Sequence, residues 1–258
     1  MSTQSPAKPL IGRVAVITGA SSGIGAATAE HLAELGATVA ILARRAERLD
    51  AVSSRIKKRG GTTLTLVADV TDAATVQSAA DRVAYELGGA DLLFNNAGLM
   101  LPAPVEELPT DQWRRQIDIN ASGVMNVIGA FTSQLVASAR VRGVADLINT
   151  SSIAARNIFP NFAVYSGTKA YDTHLSRHLR VELGAKYVRV AALEPGIVET
   201  ELQSHVTDEG AREWLAGAKE TMEWLSPHDI AATVGFIAAL PPRVNLQQVT
   251  VMPTRQAN

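Results

Sequence analysis

Short apolar runs alternate with segments of helical period along the whole chain. The runs at 14–18, 38–43, 63–68, 91–95, 144–150, 188–194 and 246–252 are rich in Val, Ile and Leu. They do not alternate with polar residues, which is the pattern of strands covered on both faces. Between them apolar positions step by three and four: Leu49, Val52 and Ile56; Val76, Ala80, Val83 and Leu87; Val124, Ile128, Phe131 and Leu135. That is the period of helices. Strands that alternate with helices pair in parallel through right-handed crossovers. The pattern predicts a doubly wound α/β sheet of about seven parallel strands with helices on both faces.

The 258 residues carry no repeat, no low-complexity tract and no composition break. One domain over 10–253 is expected, with tails at 1–9 and 254–258. A single long segment interrupts the alternation, at 197–225, ahead of a last helix that starts near Ser226-Pro227. Such insertions in compact domains are usually binding loops or lids, and this one is expected to be the substrate-binding loop. Trp214, Met222 and Trp224 give it apolar material, either to cover a ligand or to pack the segment onto the body.

Composition removes several classes of function. The absence of cysteine excludes disulfides, thiolate metal sites, iron–sulfur ligation and a cysteine nucleophile. His31, His174, His178, His205 and His228 show no zinc-site spacing, so no metal is expected. His174 and His178, four apart, read as surface residues of a helix. A net charge of −1 lacks the basic footprint that nucleic acids need. The longest uncharged stretch, 119–139, holds Asn120, Ser122, Asn126, Thr132, Ser133, Gln134 and Ser138, too polar for hydrocarbon. No apolar leader stands at 1–13, so no membrane partner is expected and the cytoplasm is the expected location.

The first run leads into Thr18-Gly19-Ala20-Ser21-Ser22-Gly23-Ile24-Gly25, and a helical period follows. Glycines there permit a tight turn and close approach of backbone to a pyrophosphate at a helix N-terminus. No Gly-Lys-Ser/Thr closes the segment, so it is not an ATPase phosphate loop. At the end of the second run a carboxylate would hold the ribose hydroxyls of NAD; this chain has Arg44 and Arg45. Guanidinium groups fork onto phosphate oxygens, so the pair favours NADP(H) over NAD(H).

Asn95-Asn96-Ala97-Gly98 follows the fourth run and Ser152 the fifth, at the carboxyl edge where open α/β sheets place ligands. Tyr165 and Lys169, four apart, share one helix face. With these residues the chain resembles the classical short-chain dehydrogenase/reductase family over 10–253. The resemblance rests on TGASSGIG, Asp69-Val70, NNAG, Asn120, Ser152, Tyr165-Ser166-Gly167-Thr168-Lys169, and Pro195-Gly196 with Thr200.

That resemblance implies a Rossmann-type single domain that moves hydride between a nicotinamide cofactor and a ketone or aldehyde, or the corresponding secondary or hydroxy-acid alcohol. Tyr165 would be the acid in reduction and the base in oxidation. A free phenol titrates near about 10, so proton exchange near neutrality needs a stabilised phenolate. The Lys169 ammonium would supply that stabilisation and also hold the nicotinamide ribose. Ser152 would donate to the substrate oxygen, and Asn120 would anchor a water relaying the proton. The resemblance further implies Gly19, Ser21, Ser22, Gly23, Ile24 and Gly25 at the pyrophosphate. Asp69 and Val70 would meet the adenine, and Asn96, Ala97 and Gly98 the adenosine ribose. Pro195, Gly196, Ile197 and Thr200 would hold the carboxamide end.

The segments 95–102 and 193–202 and the ending Met252-Pro253-Thr254 resemble NADP-dependent clavulanic acid dehydrogenase and the 3-hydroxy acid (serine-type) dehydrogenases. Met100, Leu101, Arg156, Asn157 and Trp214 would line the substrate. Arg156 either receives a substrate carboxylate or is a solvent-exposed loop residue. The resemblance also implies a homotetramer or homodimer built on long helices at 110–139 and 162–185. Two other readings share the motifs: an isomerase or dehydratase that retains its cofactor, and a non-catalytic dinucleotide sensor. A sensor would have no need of Ser152, Tyr165 and Lys169 together with Asn120.

Overall fold

The computed structural model describes residues 8–257. Seven strands form one sheet: β1 (Val14–Thr18), β2 (Thr38–Ala43), β3 (Thr62–Val67), β4 (Leu92–Asn95), β5 (Ala145–Thr150), β6 (Val188–Pro195) and β7 (Gln248–Val251). All pairings are parallel, in the order β3-β2-β1-β4-β5-β6-β7. The chain runs outward from β1 to one edge, then returns to β4 and proceeds to the other. The crevice at that reversal lies between the carboxyl ends of β1 and β4.

Successive residues of a strand face opposite sides, and each side has its own core. Ile17, Ile41 and Phe94 pack with α1 (Gly23–Glu34), α2 (Ala46–Lys58) and α8 (Pro227–Ala239). Val16, Leu42, Leu93 and Leu147 pack with α3 (Ala73–Leu87), α5 (Gly123–Arg142) and α6 (Ala163–Gly184). The doubly wound prediction holds. The expected tails fall partly outside the described residues.

Two predicted segments differ in detail. The long helix expected at 110–139 runs as α4 (Thr110–Ile117), one π turn (Asp118–Ser122) and α5. The turn inserts a residue, which swings Asn120 inward; its side chain is fully buried. The 197–225 segment is structured rather than looped. Thr200 and Gln203 cap each other's backbone at a 3₁₀ turn (Glu201–His205), and the Asp208 carboxylate accepts from Ala211 N to start α7 (Glu209–Thr221). Glu199 N donates to Leu225 O (2.8 Å) and Leu225 N to Ile197 O (3.1 Å), closing the excursion at its base.

The amino edge of the sheet holds a buried charge cluster. Asp146 accepts from Arg13 Nη2 (2.8 Å) and from Arg189 Nε (2.7 Å), while Asp91 is bound by Arg13 and Arg142. Burial pushes the Asp91 carboxyl up, against the pull of Arg13. No helix among the described residues is long and apolar enough to cross a membrane.

Candidate active site

At the carboxyl edge, the turn after β1 and the exit of β4 touch backbone to backbone. Gly19 has φ +66°, and a Cβ there would lie 2.9 Å from Ala97 Cα. A Cβ on Gly25 would lie 2.4 Å from Gly19 O. Only glycine fits either place. Thr18 Oγ1 accepts from Asn96 N (2.8 Å) and Ala97 N (3.0 Å), and Asn96 Nδ2 donates to Thr18 O (3.1 Å). Ser22 precedes α1 without capping it by its side chain. The first N–H groups of that helix therefore face the crevice open to an anion. A dinucleotide pyrophosphate fits this cradle.

Both arginines predicted to select the cofactor reach this rim. Arg45 Nη2 donates to Ser21 Oγ and to Ser22 Oγ (each 2.9 Å), and Nη1 donates to Glu201 Oε2 (3.0 Å). Arg48 also binds Glu201. Slight burial opposes ionisation of Glu201, but hydrogen bonds from Arg48, Arg45 and Ser22 hold its carboxyl down at about 2. Arg44 lies 3.6 Å from Asp69. Partial burial of Asp69 is outweighed by hydrogen bonds from Thr71, then by Arg44, so its carboxyl sits below the usual range.

The other end of the crevice is built on β5 and α6. Ser152 starts a 3₁₀ turn (Ile153–Ala155), its Oγ accepting from Ala154 N (3.1 Å). Lys169 Nζ lies 6.0 Å from the Tyr165 ring centroid and donates to Thr150 O (2.7 Å) and Asp172 Oδ2 (3.1 Å). Asn120 Oδ1 accepts from Leu99 N (2.8 Å); its Nδ2 donates to Leu99 O (2.8 Å) and Thr168 Oγ1 (3.1 Å). The amide thus clamps the β4 exit to α6.

One cavity of about 520 Å³ joins the two ends. Its nucleotide end is lined by Gly19, Ser21, Ser22, Gly23, Ile24, Arg44, Arg45, Asp69 and Val70. Asn96, Ala97, Gly98, Pro195, Gly196, Ile197 and Thr200 line the middle, and Ser152, Tyr165, Lys169, Met100 and Trp214 the far end. Gly25 and Asn120 act from behind the wall.

Three expected substrate residues lie elsewhere. Leu101 is buried and exchanges hydrogen bonds with Gln116. Arg156 Nη2 donates to Glu194 Oε2 (2.8 Å), a buried carboxylate that also binds Thr173, Gln248 and Thr250. Asn157 follows it in the same turn, outside the cavity lining.

The wall contains residues the motifs do not mark. Phe159 and Phe162 pack on Trp214 with ring centroids 5.7 and 6.2 Å away, and Phe162 lies 6.4 Å from Tyr165. Trp214 therefore covers the cavity, while Trp224 packs against the same cluster from outside the lining. His174 and His178 are exposed neighbours, Nε2 to Nε2 3.2 Å. No metal-binding cluster occurs among the described residues.

Residues 13–211 match the short chain dehydrogenase family. The chain is 34% identical to glycine betaine reductase ATRR of Emericella nidulans over 96% of its own length, and spans 19% of that protein. It is 34% identical to serine 3-dehydrogenase of Rhizobium radiobacter over 94% of each chain. The solved alcohol dehydrogenase from Thermococcus sibiricus complexed with 5-hydroxy-NADP superposes with a TM-score of 0.83 at 28% identity, covering 95% of this chain and 98% of that one. The chain is an oxidoreductase of the short-chain dehydrogenase/reductase family.

Proposed function

We propose that this enzyme is an NADP(H)-preferring carbonyl reductase that interconverts small or medium ketones and aldehydes with their alcohols, Tyr165 exchanging the proton. The observation that carries this reading is one continuous cavity with two arginines at its nucleotide end and Ser152, Tyr165 and Lys169 at the other. When bound, the nicotinamide supplies hydride to the carbonyl carbon. The Ser152 hydroxyl donates to the carbonyl oxygen, and the Tyr165 hydroxyl gives it the proton. The Lys169 ammonium stabilises the phenolate left behind.

Phe159, Phe162, Trp214 and Leu215 form the wall beside Tyr165. Among the described residues no arginine lines that end, and Arg156 is held by Glu194. These features support a neutral, apolar carbonyl compound over a carboxylate. The uncharged face of α5 stays exposed at Met125, Gly129 and Ser133, which supports a homodimer or homotetramer.

The test is NADPH oxidation against a carbonyl panel, with NADH in parallel. Tyr165→Phe is expected to lose about 10²–10⁴-fold in kcat. Arg156→Ala is expected to treat acidic and neutral carbonyls alike. Full activity in Tyr165→Phe refutes the mechanism, and a preference for NADH refutes the reading of the arginines.

A further inference from the structure

Tyr165, Lys169 and Asp172 follow one another at i, i+4 and i+7 of α6, so they lie along one helix face. Asp172 is completely buried, and among the described residues Lys169 is its one ion-pair partner, Nζ to Oδ2 3.1 Å. Among the described residues its second oxygen, Oδ1, has no hydrogen-bond partner, and neither do the buried Asn149 Oδ1 and Thr150 Oγ1 of β5. Packing alone does not account for an incompletely bonded carboxylate at this depth, where an apolar side chain would cost less. Its position does: it holds the ammonium that lies 6.0 Å from the Tyr165 ring centroid.

We propose that Asp172 is a positioning residue for the proton step, a fixed negative charge that partly cancels Lys169 and keeps the Tyr165 hydroxyl protonated to higher pH. The inference rests on the reading of Tyr165 as the proton donor. In reduction the carbonyl carbon gains a hydride, its oxygen gains the Tyr165 proton, and the phenolate is reprotonated from solvent. In oxidation the phenolate takes the alcohol proton and the carbon gives up hydride to the oxidised cofactor. A cation beside the phenol favours the phenolate, and an anion at that cation weakens the effect. Asp172 thus biases the site toward donation, the reducing direction.

The other groups facing this pocket leave that charge uncancelled. On α6, Tyr171 has its phenol pushed up by burial and then by Asp172 itself. On β6, Glu194 stands beyond Thr173 and is bound by Arg156. β5 offers Asn149 and Thr150, both neutral. From the α4 side Asp111, Arg114, Arg115 and Asp118 point to solvent, and only Gln116 and Asn120 are buried. Burial pushes the Asp172 carboxyl up to about 6 despite Lys169. Burial would also lower Lys169, but Asp172 and then Tyr165 raise it. Above pH about 6 the Asp172 carboxyl is therefore ionised, well before a phenol changes state.

The experiment is the pH profile of kcat/KM in both directions for the wild-type enzyme, Asp172→Asn, Asp172→Ala and Asp172→Glu. Melting and NADPH binding confirm that each variant is folded. In Asp172→Asn and Asp172→Ala the acidic limb of oxidation and the alkaline limb of reduction are expected to move down together by roughly one pH unit. That is the scale for one charge several ångströms away in a partly buried site. Asp172→Glu is expected to restore the wild-type limbs. Limbs that stay in place or move up, with only kcat reduced, overturn the proposal and leave Asp172 a structural residue. An active Tyr165→Phe defeats the underlying mechanism instead. An inactive Tyr165→Phe beside unmoved limbs defeats the Asp172 proposal alone.

Discussion

Glu201 faces the arginines that a 2′-phosphate would need. It sits on the 3₁₀ turn after Thr200, across the crevice from β2, and its carboxylate binds both Arg45 and Arg48. If Arg45 is the phosphate-selecting residue, NADPH must share it with Glu201 or displace that carboxylate. The side chains are substantially exposed, 37% for Glu201 and 44% for Arg45, so solvent screens the pair. Exposed pairs are worth about 0.2–1 kcal/mol each, and two give about 1 kcal/mol, or roughly fivefold in affinity. Glu201→Gln is therefore expected to tighten NADPH binding about fivefold and to leave NADH within about twofold. Arg45→Ala is expected to weaken NADPH about tenfold with the same indifference to NADH. Titration of cofactor fluorescence measures all four constants. The pH dependence has a definite sign. A carboxylate held down at about 2 makes its full contribution above the ordinary value of 4.5 and loses it only as pH falls toward 2. Glu201 thus contributes no pH dependence of its own from about pH 6 to 9, so any change near pH 6 belongs to the 2′-phosphate. Equal weakening of NADPH and NADH in Glu201→Gln would refute the competition. The carboxylate would then be holding the turn over the crevice.

Two further perturbations address the frame of the site. In Gly25→Ala the new methyl meets Gly19 O at 2.4 Å and Asn96 Nδ2 at 2.8 Å, so backbone must move. A loss of about 1–3 kcal/mol is expected, with cofactor binding weakened at least about tenfold. Gly217→Ala in α7 meets nothing within 4 Å and is expected to gain up to about 1 kcal/mol from helix propensity. Melting temperatures that move alike in both variants would refute the close-approach argument. At the amino edge, Asp146→Asn leaves Arg13 and Arg189 buried without their shared carboxylate and is expected to cost about 3–5 kcal/mol in urea unfolding. A loss below about 1 kcal/mol would show that the cluster is solvated in solution.

The glycine turn at the crevice was readable from sequence because its geometry is backbone geometry. A glycine turn between a buried strand and a helix is a local arrangement, and the bounds of β1 and β2 coincide with their apolar runs. At the sheet edges, β3 and β7 begin and end where a single partner strand allows, so hydrophobicity marks them only within a residue or two. The substrate end is assembled from separate segments. Phe159, Phe162 and Trp214 meet only after the 197–225 excursion folds back, and no spacing announces that contact. Arg156 shows the same limit for charge: both its readings stood open until β5–β6 pairing brought Glu194 within 2.8 Å. Asp172 is the intermediate case. Its placement on the Tyr165–Lys169 face follows from helical spacing alone, yet a charged residue three positions after a lysine is ordinary on a solvated helix. What separates a surface ion pair from one that tunes a proton transfer is burial of that face against β5 and β6. Burial is a property of the assembled sheet, so the motif identifies the family, while the role proposed for Asp172 rests on packing that no spacing announces.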